Sequence, residues 1–493
     1  MRDRNNNNRC NIVFCMKELT RKELIEKSVF YVLMAAMISV AAYFIIHNFM
    51  WLIGDDSSCI VHTGWGNYYS LSDYIIPETG RFYPLSFLFY NILPFLGAYS
   101  VTAHSVFLAF MMFLMVILLT RSCRLNMPSE HLSVWDYLSL LFVAAICIAR
   151  PYRFFLTTEW ATWICYILII LWGICTYYVH QKQSIIAAIG GLLIMTCFCY
   201  CGETNAALPF SYGVLGLLMW KRSSLIEKSY YVGLIVTVAL FFTLYYILVY
   251  AHVSDYIYDA SHGSQMSILE VAFRMFYAQK IFWIAIIILC IKAWQIIKHK
   301  ASFEWRDNLI LSSFAYCSGC IVMHLDHTVY YWAAVLCMLP AVIYYLHKWF
   351  GEKWTMIIML ALALIMCRRF PRIIKDNQSD RLKSIELRKI FVDKIVNEDK
   401  NVYYYAPVTT DTNNNEFEWR KQKKESFPAY IGDAINNHQY QLNTITKFEH
   451  QSGIYILPHE NEKLVPYAND AIINAGKVIF KGGYGNLTLV EID

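Results

Sequence analysis

Charge is scarce in this chain. Asp, Glu, Lys and Arg make up 16% of its 493 residues, against about 25% in soluble globular domains. That scarcity excludes an ordinary cytosolic enzyme and a nucleic-acid-binding module. The net charge of +5 is too small to call for a polyanionic partner. Cysteine is absent from the last 126 residues, since all 15 lie between Cys10 and Cys367. Cys317 and Cys320 have Cys-x-x-Cys spacing, but they sit in an apolar run with no second pair. They read as small helix-packing residues, not metal ligands, and no disulfide framework is expected. A cleavable leader is not expected either. The first apolar run, Val29–Ile53, spans 25 residues, beyond the roughly 7–15 of a signal core. It reads as a retained anchor.

What is present is apolar. Hydrophobic residues reach 57%, with 36 Tyr, 30 Phe and 14 Trp, and mean hydropathy is +0.37. Such an excess rules out a disordered chain and needs lipid as solvent, so a polytopic α-helical membrane protein is expected. A bilayer core takes about 17–25 apolar residues per helix. Eleven candidate spans follow: Val29–Ile53, Ser100–Leu119, Val134–Ala149, Trp160–Val179, Ile185–Tyr200, Ala206–Trp220, Tyr230–Tyr250, Ile281–Ile297, Leu309–Met323, Trp332–Leu346 and Trp354–Cys367. Ala206–Trp220 and Trp354–Cys367 are the least apolar in context.

Basic residues set the orientation, because cytoplasmic loops retain them. Seven lie in the N-terminal tail, residues 1–28, which is therefore expected inside. With eleven spans, the inner segments hold 18 Lys and Arg and the outer loops before the last span hold five. Tyr83–Leu96 is apolar enough to count as a further span, but counting it would reverse every later loop. It is expected to lie in the outer interface. Arg368, Arg369 and Arg372 follow the last span on the expected outer side, against this trend.

The organisation expected is a basic cytoplasmic tail (1–28), a transmembrane bundle (29–367) with a first outer loop at 54–99, and a small C-terminal α/β extracytoplasmic domain (368–493). In the last, Ser379–Glu398 has helical periodicity. Val402–Tyr405, Gly453–Leu457, Lys477–Lys481 and Leu487–Ile492 read as strands, the last two flanking a Gly-rich turn.

The polar clusters fall by parity. Inner loops are mostly basic, whereas acidic and His-rich clusters gather at outer span ends. The sharpest is Gly54-Asp55-Asp56. A helix C-terminus carries partial negative charge, so two carboxylates there cost about 0.3–1 kcal/mol each. Their mutual repulsion can raise one pKa. A cation, an arginine or a reaction must offset this, unless the pair is an ordinary solvated helix end. Gly80-Arg81 closes the first outer loop; its guanidinium suits phosphate and equally suits interface anchoring. Arg150 and Arg153 sit in an outer loop where the orientation rule disfavours them. Glu159 opens the fourth span, where the helix dipole alone would favour it. Gly202-Glu203-Thr204-Asn205 interrupts an apolar stretch. A turn there needs Gly and Asn but not Glu, which leaves substrate contact open for Glu203 and Asn205. His324, Asp326 and His327 have spacing compatible with metal binding, yet zinc wants three or four firm ligands, and no metal site is assigned. Tyr330 belongs to an aromatic belt or to the same outer cluster. Lys292 is expected to snorkel inward.

A long first helix ending in an acidic pair, an outer loop with an interfacial helix, many spans and a C-terminal α/β domain together resemble the GT-C superfamily of integral-membrane glycosyltransferases. Asp55-Asp56, Gly80-Arg81-Phe82, Thr158-Glu159-Trp160-Ala161-Thr162 and the Glu203 turn look like an uncharacterised bacterial branch of GT-C-like proteins. The resemblance implies a polyprenyl-phosphate-linked sugar donor and an inverting transfer to an acceptor hydroxyl of a glycan or lipid on the outer (periplasmic) face. It implies Asp55 or Asp56 as general base. Arg81, Arg150 or Arg153 would face the departing phosphate, and Glu159, Glu203, Asn205, His324, Asp326, His327 and Tyr330 would contact substrate. No cofactor is required, and a divalent cation is the one candidate. The expected setting is the plasma (inner) membrane, in cell-envelope polysaccharide synthesis, with the bilayer and lipid-linked sugar as partners and no nucleic acid. A polysaccharide polymerase or ligase would share the outer arginines without needing the Asp pair. A transporter or flippase would place charges at mid-membrane, where few are seen.

Overall fold

A computed structural model describes residues 21–48, 70–77, 80–86, 88, 91, 101–129, 131–149, 160–252, 267–322, 328–368, 370–391, 393–394, 398, 400–405, 443–445, 447–458, 466–482 and 487–493. Helices dominate. They are α1 (Arg21–Asn48), α2 (Val101–Asn126), α3 (Val134–Ala149), α4 (Trp160–Lys182), α5 (Ile185–Cys199), α6 (Ala207–Gly216), α7 (Leu225–Leu248), α8 (Ile268–Ala278), α9 (Ile281–Ile297), α10 (Trp305–Val322), α11 (Thr328–Cys367) and α12 (Phe370–Phe391). Helix starts are written locally. Ser224 with Glu227 and Ser267 with Glu270 form capping boxes, and Ser184 accepts from the Ala187 N–H. These satisfy backbone donors that a first turn leaves orphaned.

The chain is a helical membrane protein by length and composition. Among the described residues, five helices are long and apolar enough to cross a bilayer: Glu23–His47, Ser105–Asn126, Trp163–Lys182, Leu225–His252 and Tyr330–Arg372. A sixth results if α8 and α9, which meet at 95°, count as one broken span. Val134–Ala149 and Ile185–Cys199 are shorter apolar helices. The outward faces stay apolar: Ile186 is 80% exposed, Leu218 72% and Leu193 63%. Water would penalise such a surface, whereas lipid does not.

Two expected spans differ in form. Ala206–Trp220 contains an α-helix of only 10 residues, or about 15 Å of rise, with 3-10 turns at 203–206 and 217–219 on either side. Trp332–Leu346 and Trp354–Cys367 lie on one 40-residue stretch, α11, broken at Gly351 with φ +79. Left-handed backbone there suits glycine, which has no Cβ to clash.

The interior is aromatic and close-packed. Trp163, Trp172, Trp332, Tyr166, Tyr212 and Tyr345 are fully buried. Small residues bring helices together: a Cβ on Gly216 would sit 2.2 Å from the Tyr231 ring, and one on Gly213 would sit 2.9 Å from the Tyr231 carbonyl oxygen. Thus α6 rests on α7 because those positions are glycine.

Between α1 and α2 lie the short strands β1 (Ile75–Ile76) and β2 (Arg81–Phe82), and beyond α12 lies a five-stranded sheet of β3 (Val402–Tyr405), β4 (Asn443–Ile445), β5 (Gly453–Pro458), β6 (Lys477–Gly482) and β7 (Leu487–Ile492), with helix α13 (Pro466–Ala475). The strand order is β4-β3-β5-β7-β6. β3 runs parallel to β4 and β5, while β7 is antiparallel to β5 and β6. The four runs expected as strands are strands; the turn between β6 and β7 lies outside the described residues. Glu491 on β7 pairs with Lys400 and, at 3.3 Å, with Lys394.

Candidate functional site

The bundle has two chemically different ends. At one, residues 75–76 and 81–82 form a short antiparallel hairpin, pairing Ile75 with Phe82 and Ile76 with Arg81. Gly80, at φ +72, makes its turn. This hairpin is fastened to the helix ends. The Glu203 carboxylate accepts the Phe82 N–H at 2.6 Å and the Arg81 Nε–H at 3.3 Å. Tyr245 donates its hydroxyl to the Gly80 carbonyl at 3.2 Å, and the Leu85 N–H donates to the Tyr200 carbonyl at 3.1 Å. The Phe82 ring packs among Tyr200, Phe241 and Tyr245. Arg81 also lies 4.7 Å over the Tyr83 ring. A turn alone does not need Glu203, but the hairpin strand uses it as acceptor for the Phe82 N–H on the edge away from Ile75.

Asn205 serves the same turn. Its side chain is buried and donates to the Phe198 carbonyl at 2.9 Å, closing the end of α5. Tyr330 is half-buried near the start of α11. Thus Arg81 and Glu203 are brought into contact, Asn205 braces the turn that carries Glu203, and Tyr330 sits on another element. Asp55, Asp56, Arg150, Arg153, Glu159, His324, Asp326 and His327 lie outside the described residues. Among the described residues no group of three or more His, Cys, Asp or Glu could hold a metal ion.

One residue escaped sequence reasoning. Gln279, between α8 and α9, is fully buried, and neither its amide nitrogen nor its oxygen has a partner among the described residues. An unpaired buried amide costs about 1–3 kcal/mol, and such groups in native structures call for an explanation.

The opposite end gathers the basic segments. Glu23 at the start of α1 lies 3.1 Å from His131, and Ser129 and Asp136 contact His347 at 3.2 and 2.9 Å. Acids also lie at this end: Asp136, Glu227, Glu304 and Asp307 each have a Lys or His partner. Glu227 bonds the His180 Nδ1 at 2.7 Å, and the His180 ring stacks on Trp305 and reaches the Tyr212 hydroxyl. Lys292 does not snorkel: it is buried and bridges Glu304 at 2.8 Å and Asp307 at 3.5 Å. A buried ammonium is tolerable only with such partners.

Four cations of this end share one cavity. Arg121, Arg124, Lys182 and Arg306 line one cavity of about 720 Å³. Arg306 is 8% exposed. Its guanidinium lies 4.4 Å from the Trp305 ring centre and 3.8 Å from that of Tyr344. Its Nε–H donates to Asn126 Oδ1 at 3.2 Å, and Asn126 is itself oriented by donating to the Ser122 carbonyl.

No protein-family model matches the chain, and no curated protein matches it.

Proposed function

We propose that the chain is a membrane glycosyltransferase that moves a sugar from a polyprenyl-phosphate donor to an acceptor hydroxyl. The observation that supports this most is the fastening of Gly80–Phe82 to the Glu203 turn. It ties the far part of the first outer loop to helix ends on which polar side chains converge. The near part of that loop carries Asp55 and Asp56. In this reading the chain crosses the membrane eleven times, with the Glu203 end and the C-terminal sheet outside and the basic end in the cytoplasm.

The chemistry balances simply. One of the two Asp carboxylates takes the acceptor's hydroxyl proton as the oxygen bonds to the anomeric carbon. The bond from that carbon to the phosphate oxygen breaks, and lipid phosphate departs as an anion. Attack from the face opposite the leaving group inverts the anomeric carbon. Glu203 holds Arg81 in place, and Arg81 with Arg150 and Arg153 stabilises charge on the departing phosphate. Phosphate leaves well, so no general acid is needed.

The test is transfer from radiolabelled polyprenyl-phosphate hexoses in vesicles bearing the full chain. Loss of a general base costs about 10²–10⁴-fold. Either D55N or D56N must lower transfer by about that factor while the protein still folds. Transfer within a few-fold of wild type in both variants overturns the reading.

A further inference from the structure

We propose that the cavity at the basic end is a binding site for a ligand carrying paired phosphates, either a lipid headgroup or a soluble pyrophosphate. This inference does not depend on glycosyl transfer.

Three observations carry it. First, the cavity concentrates positive charge. Arg121, Arg124, Lys182 and Arg306 line it, and its described lining holds no carboxylate. Glu227, Glu304, Asp307 and Asp136 of this end bond instead to His180, Lys292 and His347. Second, the deepest cation is built in place. Arg306 is held between Trp305 and Tyr344, with its Nε committed to Asn126. Among the described residues no carboxylate pairs with it. Glu304 acts on it through space, but a guanidinium buried to this degree with no direct ion pair is costly. A phosphate oxygen that receives the terminal N–H groups would offset that cost, because the guanidinium fork matches phosphate geometry. Third, size and place agree. About 720 Å³ falls within the range of about 300–1,000 Å³ for small-molecule sites, and four cations exceed what one phosphate would need. The lining comes from the ends of α2 and α4, the loop after α2, the start of α10 and Tyr344 of α11, before its break at Gly351. Basic pockets between spans are known to take polyanionic headgroups.

Thermal unfolding of the full chain in phosphatidylcholine nanodiscs provides the test. Inorganic pyrophosphate is added in one arm; cardiolipin, whose headgroup carries two phosphates, replaces part of the phosphatidylcholine in the other. At least one probe must raise the unfolding temperature of wild type, and the arm that does so identifies the source. R306Q must weaken the apparent affinity about tenfold or more, as expected for lost charge-assisted hydrogen bonds. R124Q/K182Q must weaken it too, and these two exposed side chains can change without disturbing the core. That variant decides the matter where R306Q fails to fold. R222Q, an exposed arginine that does not line the cavity, must behave as wild type. No shift with either probe, or equal shifts in all variants, overturns the proposal.

Discussion

Glu203 helps to fasten the loop between α1 and α2, and two of its bonds have separable magnitudes. The Phe82 N–H approaches Oε1 at 2.6 Å, a charge-assisted bond of about 1.5–3 kcal/mol when its acceptor is removed. The Arg81 contact is longer, 3.3 Å, between side chains 27% and 15% exposed, so screening limits it to about 0–1 kcal/mol. Glu203→Ala deletes both and should cost about 2–3 kcal/mol. Glu203→Gln keeps a carbonyl oxygen for the Phe82 N–H and should cost about 1 kcal/mol or less. Arg81→Gln should match it, and the Arg81→Gln/Glu203→Gln pair should couple by about 0.5–1 kcal/mol. Denaturant unfolding of the full chain in micelles gives the energies. Hydrogen exchange at the amides of residues 80–86 locates them, since the loop must open before the bundle does. Equal losses for Ala and Gln would refute the reasoning, because the backbone bond would then not be the larger share. A strictly additive cycle would refute the ion pair.

Gly216→Ala and Gly213→Ala should each destabilise the bundle by about 1–3 kcal/mol, because the added methyl overlaps Tyr231 or Ile235 and the helices must part; thermal unfolding checks this, and unchanged stability would contradict the close approach. Gln279→Leu should be neutral or stabilising, since it removes a buried amide that has no partner among the described residues. A loss above about 2 kcal/mol would show that the amide is bonded after all. In the sheet, the Lys400 hydrogen bond first, then Lys394, holds the Glu491 carboxyl below its ordinary range against the effect of burial. The folded state therefore binds fewer protons than the unfolded one. The stabilisation is full above the ordinary carboxylate pKa of about 4.3 and is lost as pH falls from there through the lowered folded value. Glu491→Gln should flatten that acid-side decline, read as hydrogen-exchange protection of β5 and β7; an unchanged profile would contradict it.

Much of the helical framework was legible because apolar runs and polar breaks mark it. Val134–Ala149 and Ile281–Ile297 begin and end where the sequence pattern places them, as do Val402–Tyr405 and Leu487–Ile492. Where pattern failed, local sequence carried two messages. Lys348, Glu352 and Lys353 read as a loop, yet helix α11 carries them past a single break at Gly351. Helix α8 went unseen because Glu270 and Arg274 interrupt its apolar residues. Its burial of Val271 and Met275, with Leu269 and Phe273 exposed, is visible only once it is folded. The sites show the same limit. Arg81 and Glu203 each stood out, but 122 positions separate them and nothing local announces their contact. Arg306 read as an orientation marker. That no carboxylate bonds it directly among the described residues emerges only when Glu304, Asp307, Glu227 and Asp136 are seen to bond Lys292, His180 and His347.

We propose above all that the Glu203 end and the basic end face opposite sides of a membrane, with Asp55 and Asp56 on the Glu203 side. Cysteine labelling tests it most directly. Ser58→Cys reports the loop beside Asp55 and Asp56, and Lys221→Cys reports an exposed turn at the basic end, each on a background cleared of other reactive thiols. In intact cells, a membrane-impermeant maleimide should label residue 58 at once and residue 221 only after permeabilisation. Labelling of both from the same side would contradict the account.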